Sequence, residues 1–209
     1  MDQSIHTSVK TLESIKALIQ NKNNASSLAN LRSEIECLRR LLTSGKHDLA
    51  ETISILILLS KNLVSFDFLR SVLDEDLILS LASNPVFIVR SRILELLLIN
   101  MNDDSNGLLL LKPRVLFGLF FGLSSDLYPS GRISSMNGLV TLCKRDDKDM
   151  AKLMITTEVY EKTIMLLKDE DVMVRVASIR LLSEWGKMLV KNPAMGLNVR
   201  KMSDEIFIL

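Results

Sequence analysis

Three short segments of this chain end the same way. Asn84 stands six residues before Arg90, Asp126 six before Arg132, and Asp169 six before Arg175. The arginines are 42 and 43 residues apart. After each arginine an apolar residue returns four positions on (Leu94, Met136, Ile179) and seven positions on (Leu97, Leu139, Leu182). That spacing puts one apolar stripe on a helix. A unit recurring at this period is a single supersecondary element that cannot bury its apolar face alone, so it must stack on its neighbours.

A period of 42–43 residues lies within the roughly 40–47 of HEAT and armadillo repeats. The expected fold class is therefore all-α, a HEAT/armadillo-like α-α superhelix: a right-handed solenoid of stacked helix pairs. The Asp or Asn of each copy falls in the turn between helices A and B. There a short polar side chain can cap exposed backbone N–H groups. An arginine in the first turn of helix B opposes the helix dipole, so it needs another partner. The carboxylate of a neighbouring inter-helix turn would serve and would tie repeats together. The plain alternative is a solvated arginine. On this reading Asn84, Arg90, Asp126, Arg132, Asp169 and Arg175 are structural repeat joints. Copy two carries Ser130-Gly131 where the others place an apolar residue and Val before Arg. This is expected to loosen that turn.

The periodicity predicts helices over 4–20, 28–42 and 48–63, then pairs 66–82 with 86–101, 113–123 with 131–143, and 147–167 with 172–190. "NDDSNG" reads as a loop, and "TSGK" ends a helix at Gly45. The domain reading is an N-terminal helical cap or degenerate repeat over 1–45, repeats over 46–190, and the start of a truncated further repeat over 191–209. Ile206 to Leu209 would have nothing after them to pack against, so the chain is expected to be a fragment of a longer protein.

Composition agrees with helices: among 209 residues there are only 8 Gly and 4 Pro. The chain is 47% hydrophobic, too apolar for disorder. The 26 basic and 25 acidic residues leave a net charge of +1. That balance argues against a dominant nucleic-acid or anionic-membrane surface. The apolar runs "ISILILLS" and "LLLLKPRVLFGLFFGL" are too short or too interrupted for the roughly 20 residues of a membrane span. The N-terminus lacks the apolar core of a signal peptide, and Asn24-Ala25-Ser26 is discounted as a chance sequon. Cys37 and Cys143 each sit among apolar neighbours and read as buried reduced thiols of an intracellular protein.

Little here looks like chemistry. His6 and His47 have no second ligand at metal spacing, and no nucleophile elbow, phosphate loop or dinucleotide fingerprint occurs. The acidic clusters "RDDKD" and "KDED" read as solvated turns and caps. Phe117, Phe120 and Phe121, and Trp185, read as core. The expectation is no enzyme, no catalytic residue, no cofactor and no metal.

The segments "NPVFIVRSRILELL", "KPRVLFGLFFGLSSDLYPSGRISSMNGLVTLCK" and "DEDVMVRVASIRLLSEWGKMLV", with "MSDEIFIL" after them, resemble the N-terminal HEAT region of the Integrator complex subunit 4 family. The likeness is to its plant form, a SHORT-ROOT-interacting armadillo-repeat protein, and covers residues 84–209. It implies a non-catalytic scaffold of a nuclear complex that associates with RNA polymerase II and processes the 3′ ends of small nuclear RNAs. The alternative is a cytoplasmic or endosomal adaptor that binds a transcription factor or other cargo for trafficking. Partners would be other protein subunits or that cargo, with no small-molecule substrate and no direct nucleic-acid or membrane binding. Helices B line the concave face of such arrays. The fifth position after each anchor gives Glu95, Asn137 and Arg180, which with Glu184 and Lys187 are the partner-binding candidates.

Overall fold

The computed structural model describes residues 31–44, 49–62, 66–102, 110–145 and 147–194. They form ten α-helices and no strand. The chain divides into two compact units, 1–110 and 111–209. The predicted helix over 4–20, Gly45, both histidines, Asn24, nearly all of "NDDSNG" and the tail from 195 lie outside the described residues.

The first unit holds α1 (Leu31–Ser44), α2 (Leu49–Asn62), α3 (Phe66–Val72), α4 (Glu75–Ala82) and α5 (Phe87–Asn102). Helix α2 packs mainly on α5, α4 also lies on α5, and α1 contacts α2 and α3. Ile53, Ile55, Leu56, Ile57 and Leu59 of α2 are all buried. This fits a helix covered on several sides. The sequence predicts one helix over 66–82; the structure breaks it at Leu73-Asp74. Asp74 takes an extended conformation and its Oδ1 accepts the Leu77 N–H at 2.9 Å. Its carboxylate also pairs with Arg39 of α1. An aspartate gains more as an N-cap than inside a helix, where its side chain competes with the backbone.

The second unit holds α6 (Pro113–Leu123), α7 (Pro129–Lys144), α8 (Lys148–Met154), α9 (Thr157–Leu166) and α10 (Val172–Lys191). Helix α7 is central, packed on α10 and on α6, while α9 lies on α10. The single helix expected over 147–167 is two. Asp147 caps α8 and Thr156 caps α9, its Oγ1 accepting the Val159 N–H at 3.3 Å. The break frees the Met154 carbonyl, which accepts the Trp185 indole N–H at 2.8 Å.

Phe120 is fully buried, and Phe117 stacks on Phe121 with centroids 5.6 Å apart. The Phe120 ring lies on the backbone of α7 at Gly138. A Cβ on Gly138 would sit 2.4 Å from that ring, whereas one on Gly118 or Gly122 would meet nothing within 4 Å. Gly138→Ala is therefore expected to cost about 1–3 kcal/mol by overpacking. Gly118→Ala and Gly122→Ala should each add roughly 0.5–1 kcal/mol, the helix-interior penalty of glycine. Thermal melting of the three variants checks both signs.

The two thiols differ. Cys143 is buried; Cys37 is only half-buried, which corrects the expectation of two buried thiols. Burial, with the nearby charge of Glu184, pushes the Cys143 thiol up to about 12. Since the thiolate is the reactive form, a maleimide at pH 8 is expected to label Cys37 first and Cys143 only on unfolding. Equal labelling rates in the folded protein would contradict this placement.

Candidate interaction surface

The three turns that the repeat singled out have one geometry. In each, the Asx side chain accepts the backbone N–H two residues on: Asn84 from Val86 at 2.9 Å, Asp126 from Tyr128 at 2.9 Å, Asp169 from Asp171 at 3.0 Å. In each, the arginine six residues later folds back on its own turn. Arg90 Nη1 donates to the carbonyls of Asn84 and Pro85 at 2.7 and 3.0 Å. Arg132 Nη1 donates to Asp126 and Leu127 at 2.8 and 3.1 Å. Arg175 Nη1 donates to Asp169 and Glu170 at 2.8 and 2.9 Å. These carbonyls precede helix B and have no helical partner, so the charged donor satisfies them. Sequence reasoning placed the Asx and the Arg but missed this internal staple. The six-residue spacing was its only signal.

Arg132 does a second thing. Its Nη2 donates to Asp169 Oδ1 at 2.8 Å, and its Nε lies 2.7 Å from Oδ2. The side chains are only 16% and 9% exposed. This ion pair ties the copy-two turn to the copy-three turn. Burial opposes the charge of Asp169. Hydrogen bonds from Arg132 and from the Asp171 N–H, with the charges of Arg132 and Arg175, outweigh it and hold the carboxyl below its usual value. Asp169 is thus not the solvated turn residue that "KDED" implied, whereas Asp171 is a cap, accepting from the Met173 and Val174 N–H groups.

Gly131 does not loosen its turn. Its Cβ would fall 2.7 Å from the Asp126 carboxyl carbon, so glycine lets that side chain sit over helix B. Val89 and Val174, the residues before the other two arginines, are buried apolar plugs instead. The staple distances match in all three copies.

The partner-binding candidates fall into different surroundings. Glu95, half-buried on α5, accepts from Arg92 Nη1 at 2.7 Å and lies 3.9 Å from Lys61 Nζ of α2. Asn137 is half-buried on α7. Arg180, Glu184 and Lys187 share α10. Arg180 is exposed, and Lys187 Nζ donates to Glu184 Oε1 at 2.8 Å. That bond comes first among the influences holding the Glu184 carboxyl below its usual value; the charges of Lys187, Lys144 and Lys191 add to it against burial. Of the five candidates, only these last three lie on one helix.

Two residues of the α10 stripe are less covered than their counterparts. Leu182 is half-buried where Leu97 and Leu139 are buried. Ile179 corresponds to the buried Leu94 and Met136 but is 59% exposed. Helix α7 lies between α6 and α10, whereas α10 buries only Val174, Ala177, Ser178, Leu181, Trp185 and Met188.

What the geometry offers is a set of stapled turns beside helix faces that differ in how far they are covered. Among the described residues no group of three or more His, Cys, Asp or Glu side chains could hold a metal ion. The chain is similar to Protein SIEL of Arabidopsis thaliana. Identity is 32% over 94 residues, which is 45% of this chain and 10% of that protein. The match spans about a tenth of the length of that relative. No protein-family profile and no solved structure matches the chain. No helix among the described residues is long and apolar enough to cross a membrane.

Proposed function

We propose that this chain is a non-catalytic HEAT-like scaffold for protein–protein interaction, and that it serves as a component similar to Integrator complex subunit 4 in nuclear 3′-end processing of small nuclear RNA. The observation that carries the scaffold reading is the threefold Asx–Arg turn, with Arg132 of one copy bonded to Asp169 of the next. An ion pair from the turn of one helix pair to the turn of the next is the kind of contact that supports stacking, and stacked helix pairs present an extended surface to partners. The identity to Protein SIEL agrees with that reading. The assignment to the Integrator and to the nucleus rests on the resemblance of residues 84–209 to that family.

Affinity purification of the tagged chain followed by mass spectrometry is the test. Recovery of Integrator subunits is the expected result. Recovery of transcription-factor cargo and vesicle proteins without them would sink the RNA-processing assignment and favour the trafficking adaptor. Recovery of no protein above a tag-only control would count against a scaffold of either kind.

A further inference from the structure

We infer that the open groove between α7 and α10 is a docking site for an acidic, extended segment of a partner protein. The inference rests on the scaffold reading and names the chemistry of the partner. Helix α7 shows which side of such a helix stays open once neighbours are in place. Phe120 of α6 closes on it at Gly138. Further round, Cys143 shares a pocket with Met188 and Lys191 of α10. What these neighbours leave is one strip along α7, with Ile133, Ser134, Asn137 and Thr141 half-buried and Lys144 exposed.

The repeat carries that strip on to α10. Counting forward 43 residues, Val176, Arg180, Glu184 and Lys187 correspond to Ile133, Asn137, Thr141 and Lys144. A helix pair stacked on α10 as α10 is stacked on α7 would meet Ile179 and Ser183, the counterparts of the buried Met136 and Val140. Arg180 and Lys187 would still face outward. The two halves of the strip lie together. The charges of Lys144 on α7 and of Lys187 and Lys191 on α10 all bear on Glu184.

The groove's polar groups say what fits. Of the exposed cations Lys144, Arg180, Lys187 and Lys191, only Lys187 pairs with a carboxylate among the described residues. Unmatched cations select an acidic partner, since complementary charge across an interface sets specificity and steers encounter. The side-chain amide of half-buried Asn137 has no hydrogen bond among the described residues either. It selects the partner's conformation. An extended backbone offers free N–H and C=O groups to such an amide, whereas those of a helix are bonded internally. The turn end of the groove is apolar, with Met173 55% exposed one turn before Val176. From Ile133 to Lys144 the groove runs about 16 Å at the helical rise, about five residues of extended chain. The fitting segment therefore has an apolar residue at one end and Asp or Glu at the other. No aromatic ring lies on the strip to stack a base, which disfavours single-stranded nucleic acid.

The probe is a fluorescein-labelled peptide with a leucine followed by Asp and Glu residues and a proline in its middle, which keeps it from forming a helix. Anisotropy with the full chain reads its binding. Saturable binding is expected, weakening as salt rises. The double variant Lys144→Glu with Arg180→Glu should weaken it about tenfold or more, and Asn137→Ala about threefold. Ile179→Asp, outside the groove, should leave it near wild type. Melting temperatures check that each variant folds; if the double reversal does not, Lys144→Ala with Arg180→Ala takes its place. No saturable binding, indifference to the groove variants, equal binding of the same peptide with lysines for its acids, or tighter binding of a single-stranded RNA oligonucleotide would each overturn the inference. So would tighter binding of a helical acidic peptide, or a dimer, by light scattering, that the double reversal dissolves. If affinity purification recovers partners while the peptide fails to bind, the scaffold reading stands and this inference falls.

Discussion

Arg132→Ala is expected to lower the stability of the second unit by about 3 kcal/mol. Three losses combine. The carbonyls of Asp126 and Leu127 lose their donor. Asp169 keeps its charge in a site where it is only 9% exposed, without its countercharge. The tie between two repeats is cut. For a unit spanning 111–209 the change corresponds to a fall of about 12–24 °C in its melting temperature. Arg175→Ala removes the same kind of staple from its own turn, and about 1–2 kcal/mol is expected there. A double-mutant cycle of Arg132→Ala with Asp169→Ala isolates the pair, and a coupling near zero would show that the two side chains only happen to be adjacent. Asp169→Asn is the sharper variant. Asn84 already makes the same turn contact with a neutral amide, so this change removes the charge and keeps the turn.

The pH dependence follows from the direction of the Asp169 shift. Its carboxyl is held below the usual value in the folded protein, so the unfolded chain binds a proton first as pH falls. The stabilisation is fully present above the unfolded carboxylate value of about 3.9 and is lost as pH drops through the lower folded one. Denaturant midpoints measured from pH 6 down to pH 2.5 should fall more steeply below about pH 4 for the wild type than for Asp169→Asn.

The sequence carried the repeat because the turn residues are chemically distinctive. Few side chains can cap a turn, and an arginine against the helix dipole demands a partner, so Asp169 and Arg132 are legible in the sequence itself. The breaks at Asp74 and Thr156 were hidden because each residue is tolerated inside a helix, and only the contacts around it decide whether it caps. Arg39 decides at Asp74, and the indole of Trp185, taking the Met154 carbonyl, helps to decide just before Thr156. The exposure of Ile179 was hidden for another reason. Periodicity reports that a position is apolar, but burial depends on which helices lie on either side. Among the partner candidates, the pairing of Glu184 with Lys187 follows from their three-residue spacing on one helix, while the approach of Lys61 to Glu95 depends on how α2 packs against α5.

Trp185→Ala is expected to cost about 3–5 kcal/mol, the range for emptying a buried aromatic site. The side chain is buried, stacks on Tyr160 with centroids 5.4 Å apart, and donates its indole N–H to the Met154 carbonyl at 2.8 Å. It therefore joins α10 to α9 through the ring and to the end of α8 through the hydrogen bond. Trp185→Phe separates the two roles. It retains a ring against Tyr160 and gives up the donor, leaving Met154 with only the Thr156 N–H at 3.0 Å. A cost of about 1–2 kcal/mol is expected for that change. If Trp185→Phe proves as damaging as Trp185→Ala, the hydrogen bond to the break between α8 and α9 carries most of the stabilisation and the stacking is incidental. Circular dichroism should follow both variants. In the other variants the chain's single tryptophan reports directly, because unfolding of the second unit moves Trp185 from a buried site into water and should shift its emission to the red. That signal and circular dichroism should melt together after Arg132→Ala if the repeat tie and the Trp185 junction belong to one cooperative unit, and separately if they do not.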